Sequence, residues 1–137
     1  MTASYRLLGD IGATNTRFAM LSLDGNIAEP MAYETLDFEH CADAIRAYLT
    51  NFGASQQPVE AALAVAAPIL EDEVAMLNAP WRFSISETQK QFGWRRLEVV
   101  NDFAANALAV PRLGAEYLAQ VGDGAPVKDA AIAVLGP

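Results

Sequence analysis

The sequence predicts an α/β fold in which helices cover the faces of a mixed sheet. Three observations support this prediction. The chain opens with two short β-favouring runs, and a third run follows Asp24-Gly25, a strong hairpin signal because both residues tolerate positive φ. One later segment has apolar residues at helical spacing, and another is apolar without alternation. Three antiparallel strands followed by helix, strand, helix, strand and helix give a mixed sheet.

The first three strands are expected to form an antiparallel meander. Tyr5 to Gly9 is a short apolar stretch, and Thr16 to Leu23 is a second β-favouring run. A tight connection that contains Gly12 joins them. The third strand is expected to begin near Ile27, directly after the hairpin signal.

A helix is predicted after the meander, because apolar residues recur at the spacing of one helical face. These positions are Cys41, Ala44, Ile45, Tyr48, Leu49 and Phe52. The helix should end at Gly53 and lie on the sheet. Because Cys41 lies on the apolar face, it is expected to be a core residue and not a reactive thiol.

The next two elements are a buried strand and a short helix. The run from Ala61 to Ala67 is apolar without alternation and stops at Pro68, as expected for a central strand covered on both faces. Ser84 and Glu87 form a candidate capping box. The helix that they open should end at Gly93.

The last predicted elements are strand, helix and strand. Leu97 to Val100 is a strand candidate, and a helix-like run from Phe103 to Val110 follows it after a polar pair. Ala130 to Leu135 is a final apolar strand. No covering helix follows that strand, so the chain is expected to be a fragment of a longer protein.

Composition and charge exclude several classes of function. With 53% hydrophobic and 19% charged residues, the 137-residue chain is expected to be soluble and globular. It has no apolar run of membrane-spanning length and no signal-peptide pattern, so a cytoplasmic location is expected. A net charge of -8 argues against nucleic acid as a partner. One cysteine and one histidine exclude an internal disulfide and a His/Cys metal cluster.

The first candidate site is the loop segment Gly9-Asp10-Ile11-Gly12-Ala13-Thr14-Asn15-Thr16-Arg17. Its glycines let the backbone turn and approach a bound group, and its threonines add hydroxyl donors, which suits a phosphate. Asp10 is placed to hold magnesium, directly or through water. The segment is neither a Walker A loop nor a Rossmann fingerprint. A plain hairpin connection with an Asx-turn is the alternative interpretation.

The second candidate site is Asn101-Asp102, at the carboxyl end of a predicted strand. Open α/β sheets bind their ligands at this edge. An aspartate there can accept the proton of a substrate hydroxyl, and the asparagine offers both a donor and an acceptor. The alternative is that Asp102 only caps the helix that follows.

The two tryptophans, Trp81 and Trp94, lie near the edges of predicted elements. A tryptophan can stack on a sugar ring, but at such positions it more often packs against the core. Both are therefore expected to be packing residues.

Four segments resemble the bacterial glucokinase family, in the same order. They are the first phosphate motif from Leu8 to Arg17, the central strand from Ala64 to Ile69, the asparagine-tryptophan segment from Val74 to Trp81 and the catalytic segment from Val99 to Ala105. Together they extend over essentially the whole chain. Ala13 departs from the pattern, because the family usually has a second glycine there. The loop geometry tolerates this alanine only if its φ is negative.

The resemblance implies an actin-like ATPase fold, which is ribonuclease H-like, with two lobes around a cleft. It implies that the ATP phosphates are bound by Gly9, Asp10, Ile11, Gly12, Ala13 and Thr14, with Asp10 near Mg²⁺. Asn101 and Asp102 would bind the sugar. Asp102 would also be the base that takes the proton from the glucose 6-hydroxyl as it attacks the γ-phosphoryl group.

The implied activity is ATP-dependent phosphorylation of glucose to glucose 6-phosphate in glycolysis, by a homo-oligomer expected to be a dimer. Family members are longer and carry a second phosphate loop and further sugar ligands. We therefore expect an amino-terminal lobe at residues 1–112, the start of a large lobe at 113–137, and no activity of this part alone. A non-catalytic sugar- or nucleotide-binding regulator of the same fold is the alternative.

Overall fold

The computed structural model describes residues 5–52 and 57–136. The chain divides into two compact units, Met1–Asp102 and Phe103–Pro137. The strands of the described residues are β1 (Arg6–Ile11), β2 (Asn15–Leu21), β3 (Ile27–Glu34), β4 (Glu60–Val65), β5 (Glu73–Ala75), β6 (Arg82–Ser84) and β7 (Arg96–Asn101). The α-helices are α1 (Cys41–Phe52), α2 (Ile85–Phe92) and α3 (Asp102–Ala109). All of the strands lie in the first unit.

Five strands form one mixed sheet in the order β3-β2-β1-β4-β7. β1 pairs antiparallel with β2, and β2 pairs antiparallel with β3, which confirms the predicted meander. Gly25 in the second hairpin has a φ of 88°, so the glycine of the hairpin signal is needed there. β1 also pairs in parallel with β4, and β4 with β7. The predicted mixed sheet is therefore confirmed.

The helix α1 carries the predicted apolar face. Its described members Cys41, Ala44, Ile45, Tyr48 and Leu49 are all buried. The ring of Tyr48 lies 5.5 Å from the ring of Phe18 in β2, centroid to centroid, so this face packs on the sheet. Burying each large side chain here contributes about 1.5–3 kcal/mol. The predicted end at Gly53 lies outside the described residues.

The prediction that β4 is covered on both faces is wrong. β4 does lie inside the sheet, and Leu63 and Val65 are buried on one face. On the other face Ala62 is exposed, as is Glu98 beside it in β7. An apolar run alone therefore does not show that both faces of a strand are covered.

The helix α2 begins and ends as its sequence predicts. The Ser84 hydroxyl accepts a hydrogen bond from the Glu87 backbone N–H at 3.1 Å. Gly93 ends the helix with a φ of 67°, the left-handed conformation that glycine adopts without strain. The helix α3 likewise matches the predicted run to within one residue.

The sequence does not reveal the antiparallel pair formed by β5 and β6. Each strand has only three residues, which is too short for an alternating pattern to be recognised. The Met76 N–H donates to the Trp81 carbonyl oxygen at 3.1 Å and continues the pairing toward the turn. This hairpin places Trp81 in the core.

The predicted final strand from Ala130 to Leu135 is wrong, because these residues form no strand. Strands are stable only when a neighbouring strand supplies hydrogen-bond partners. The described residues of the second unit, 103–136, include no other strand with which this segment could pair. Apolar composition alone could not reveal that a partner is missing.

We expect Cys41 to be inert toward thiol reagents in the folded protein. Its side chain is buried, and burial raises the pKa of the thiol to about 12, so the reactive thiolate is scarce at pH 8. Alkylation by iodoacetamide, followed by mass spectrometry of the Cys41 peptide, should be about a hundredfold slower in buffer than in urea. Equal rates in the two solvents would contradict the core assignment.

Among the described residues, no helix is both long enough and apolar enough to cross a bilayer.

Candidate functional site

The two sequence-predicted segments lie at the same edge of the sheet. Ile11, Val65 and Asn101 are register partners across the parallel strands β1, β4 and β7. The loop after β1 and the start of α3 therefore both follow strand ends at one level. With two interstrand spacings between β1 and β7, about 10 Å separates the two segments along this edge.

The loop after β1 consists of Gly12, Ala13 and Thr14 and reverses the chain into β2. The Gly12 N–H donates to the Asn15 carbonyl oxygen at 3.0 Å. A Cβ at position 12 would lie 2.9 Å from that same oxygen, so only glycine fits this turn. Ala13 does not have a positive φ, which is the condition under which alanine is tolerated here.

The backbone of this loop leaves two donors available. In the part of the chain that the structure describes, the N–H groups of Ala13 and Thr14 donate to no protein acceptor. Thr14 is exposed, and Ala13 is half-buried. Neighbouring backbone N–H groups with no protein acceptor are the usual donors of a local anion site, even in a protein with net negative charge.

Asp10 lies on the exposed face of β1 and is paired with Arg17 of β2. The Arg17 Nη1 donates to Asp10 Oδ2 at 3.1 Å, and the side chains are 63% and 57% exposed. An ion pair as exposed as this one contributes at most about 1 kcal/mol. The pair holds the carboxylate beside the loop but can open at little cost.

Gly9 and Ile11, also predicted to contact phosphate, lie within β1. A Cβ at position 9 would be 2.5 Å from the Leu63 side chain and 3.2 Å from Phe18, so packing alone explains this glycine. The Ile11 side chain is fully buried, and its carbonyl oxygen accepts from the Ala66 N–H at 2.9 Å. Their roles toward a ligand stay predictions.

Asn101 ends β7, and Asp102 begins α3. The Asn101 Nδ2 donates to the Ala67 carbonyl oxygen at 3.0 Å, which ties the loop after β4 to the same edge. Both side chains are half-buried. The contact with the Ala67 carbonyl thus fixes the orientation of the Asn101 side-chain amide. Asp102 is the first residue of α3.

The tryptophans lie in the core, as predicted. Trp81 is 1% exposed, and its Nε1 donates to the Phe38 carbonyl oxygen at 3.0 Å. Trp94 is buried and stacks on Phe92 with 4.7 Å between ring centroids. Neither ring is accessible to a sugar in this structure.

Sequence reasoning missed Thr35, which directly follows β3 and contacts the loop. Its hydroxyl donates to the Gly12 carbonyl oxygen at 2.8 Å. The signal available was a polar residue at the end of a strand next to the meander, but no local pattern marks it as a partner of a loop 23 residues earlier.

The residues that the structure describes contain no cluster of three or more side chains able to hold a metal on their own. Magnesium is commonly bound through one or two carboxylates, with waters and substrate phosphates as the other ligands. A single carboxylate, Asp10, next to a loop with two available backbone donors fits that pattern.

Comparison with known proteins identifies the family of this chain. A family model described as Glucokinase matches residues 7–137. A glucokinase from Paramagnetospirillum magneticum is 46% identical over 131 residues, which cover 96% of this chain and 41% of the relative. The chain therefore spans less than half the length of the curated relatives that it matches.

Solved structures agree with the family match. A glucokinase from an Antarctic psychrotroph superposes with a TM-score of 0.74 at 38% identity, over 82% of this chain and 37% of the other. A ROK family glucokinase from Streptomyces griseus, in complex with glucose and AMPPNP, superposes with a TM-score of 0.64 at 21% identity, over 82% of this chain and 38% of the other. These neighbours have the actin-like ATPase fold, which confirms the expected fold class.

Proposed function

This chain belongs to the glucokinase family, and from that premise we propose that its parent protein transfers the γ-phosphoryl group of ATP to glucose. The observation that supports this most is the shared edge of the sheet. There the loop after β1 and Asp102 each directly follow a strand end, and those two strand ends are register-matched through β4. The loop after β1 would bind the phosphoryl donor, ATP, and Asp102 would bind and activate the acceptor, glucose.

The loop would bind the phosphates of ATP through its backbone. The N–H groups of Ala13 and Thr14 are the donors, and the exposed Thr14 hydroxyl adds a third. Gly12 lets the chain turn closely enough for a phosphate to approach these donors. Because the donors are fixed before binding, little reorganisation is needed during transfer.

Asp10 would hold Mg²⁺, directly or through a water molecule. When bound, magnesium would neutralise charge on the phosphate oxygens. The weak ion pair with Arg17 keeps the carboxylate beside the loop until it takes its ligand. With Asp10 engaged in this way, the guanidinium of Arg17 would be left beside the loop, where its charge would offset part of the charge of a bound phosphate.

Asn101 and Asp102 would bind the sugar, and Asp102 would act as the base. Its carboxylate accepts the proton of the glucose 6-hydroxyl while the oxygen attacks the γ-phosphorus and the bond to the β-phosphate oxygen breaks. In phosphoryl transfer such a base mainly orients the nucleophile. The contact between Asn101 and Ala67 would fix the neighbouring backbone during this step.

The whole reaction would need residues beyond this chain. We propose that residues 1–112 form the amino-terminal lobe, that 113–137 begin the second lobe, and that the cleft closes only with the remainder. The glycolytic role, the cytoplasmic location and the dimeric state belong to the same proposal. The relatives are more than twice as long, which is the support for a missing part.

Full-length protein, assayed with ATP, Mg²⁺ and glucose in a coupled assay for glucose 6-phosphate, should turn over in the usual range of about 1–1000 s⁻¹. Residues 1–137 alone should be slower by about a thousandfold or more, because half of a cleft cannot orient two substrates. Mannose, fructose and N-acetylglucosamine serve as competing hexoses, and they identify the preferred acceptor.

The same assay separates the enzyme from a regulator of the same fold. A regulator would bind glucose or ATP in calorimetry without turnover of the full-length protein. That result would overturn the kinase proposal. Turnover by residues 1–137 equal to that of the full-length protein would instead contradict the divided cleft.

A further inference from the structure

Thr35 binds both ends of the loop after β1. It begins the single-turn 3₁₀ helix Thr35–Asp37 and is fully buried. Its hydroxyl donates to the Gly12 carbonyl oxygen at 2.8 Å, and its backbone N–H donates to the Thr14 carbonyl oxygen at 2.9 Å. A residue 23 positions from Gly12 thus holds the first and last carbonyls of the three-residue loop.

A second buried threonine completes this arrangement. The Oγ1 atoms of Thr16 and Thr35 are 2.9 Å apart, and Thr16 is fully buried. A hydroxyl has one proton to donate, and Thr35 gives its own to Gly12, so the Thr16 hydroxyl is the donor between them. The hydrogen bonds run from Thr16 to Thr35 and on to the loop.

This arrangement fixes the direction of a phosphate donor. The Gly12 carbonyl and the Ala13 N–H belong to one planar trans peptide and point in opposite directions. Holding the carbonyl toward the buried Thr35 therefore directs the Ala13 N–H away from the core. That N–H has no protein acceptor among the described residues, so it stays available to a ligand.

We propose that Thr35, supported by Thr16, is a positioning residue for nucleotide binding. The proposal rests on the proposed function for the identity of the ligand, an ATP phosphate. Thr35 itself touches no substrate. It acts by holding the loop backbone in the conformation that receives the phosphate, and its loss should weaken ATP binding more than glucose binding.

The test is Thr35→Val in the full-length protein, with Thr88→Val as the matched control. Valine keeps the shape of threonine but leaves the Gly12 carbonyl without its donor. Thr88 is also buried, and its hydroxyl donates to the Ser84 carbonyl oxygen at 2.7 Å in α2, away from the loop. Both variants thus lose one side-chain hydrogen bond to backbone, and Thr35→Val also removes the acceptor of the Thr16 hydroxyl.

The dissociation constant for ATP, measured by calorimetry without glucose, should rise about tenfold in Thr35→Val and stay within about twofold in Thr88→Val. The KM for glucose should stay near wild type in both variants. Thr35→Ser, which keeps the hydroxyl, should restore ATP binding. Equal ATP affinity in Thr35→Val, Thr88→Val and wild type would overturn the proposal.

Hydrogen exchange of the loop amides separates this inference from the proposed function. If wild-type protein binds no ATP, the proposed function fails. Faster exchange of the Gly12 and position-35 amides, which donate to Asn15 and Thr14, in Thr35→Val than in Thr88→Val would still support the positioning role. Equal exchange overturns it. If Thr35→Val does not fold, Thr16→Val takes its place, because it removes only the donor to Thr35. Its ATP dissociation constant and its amide exchange are then measured in the same way.

Discussion

Replacing Asp102 with asparagine in the full-length protein should lower kcat for glucose phosphorylation by about 100- to 10,000-fold. Asparagine matches aspartate in size but cannot accept the hydroxyl proton. The residue stands at the first position of α3, beside Asn101 at the end of β7. Steady-state kinetics with glucose and ATP would measure the loss, and the KM values should change far less than kcat.

The same substitution distinguishes a catalytic role of Asp102 from a role in stabilising the start of α3. Asp102 is the first residue inside α3, where its side chain favours the helix start. Asparagine keeps a side-chain oxygen there and loses only the charge, so Asp102→Asn should cost no more than about 1 kcal/mol of stability. Asp102→Ala removes both functions and provides the comparison. A kcat near wild type in Asp102→Asn, together with a lowered melting temperature in Asp102→Ala, would assign the residue to capping alone.

Much of the fold follows from local patterns in the sequence. The apolar stripe from Cys41 to Leu49 predicts the buried face of α1, because a helix returns to the same face every three or four residues. Ser84 and Gly93 predict the ends of α2 through their hydrogen-bonding and conformational preferences. These signals lie within a few residues of the structure that they determine.

Features that depend on distant partners could not be predicted in this way. The run from Ala130 to Leu135 has strand composition but no strand to pair with in the described part of the second unit. Ala62 is exposed because of what packs on the sheet, not because of its neighbours in sequence. The spacing of apolar residues indicates which side chains could be buried. It does not indicate whether another layer of structure covers that face of the sheet.

In the candidate site, too, some features follow from local sequence and others depend on distant partners. The motifs mark Gly12 and Asp102 as candidates, and the register of β1, β4 and β7 places the segments that carry them at one edge of the sheet. The role of Thr35 could not be predicted, because its two bonds to the loop join residues that are far apart in sequence. For Gly9 the structure supplies a second explanation, because packing against Leu63 and Phe18 also requires glycine there, and its role toward a phosphate stays a prediction.

Trp81→Ala should strongly destabilise this fold. Removing a buried tryptophan typically costs about 3–5 kcal/mol, against a total stability of about 5–15 kcal/mol for a domain. Trp81 is 1% exposed and joins the hairpin of β5 and β6 to the segment after Thr35 through its bond to Phe38. Thermal unfolding of the full-length protein should show a melting temperature lower by about 10 °C.

Trp81→Phe serves as the comparison, because it keeps an aromatic ring but leaves the Phe38 carbonyl without its donor. It should cost about 1–3 kcal/mol, less than the alanine variant. If Trp81 packed only and did not contact sugar, the glucose KM of the folded phenylalanine variant should equal that of wild type. A raised glucose KM at unchanged melting temperature would mean that the indole leaves the core to meet the substrate, and the packing assignment would be wrong.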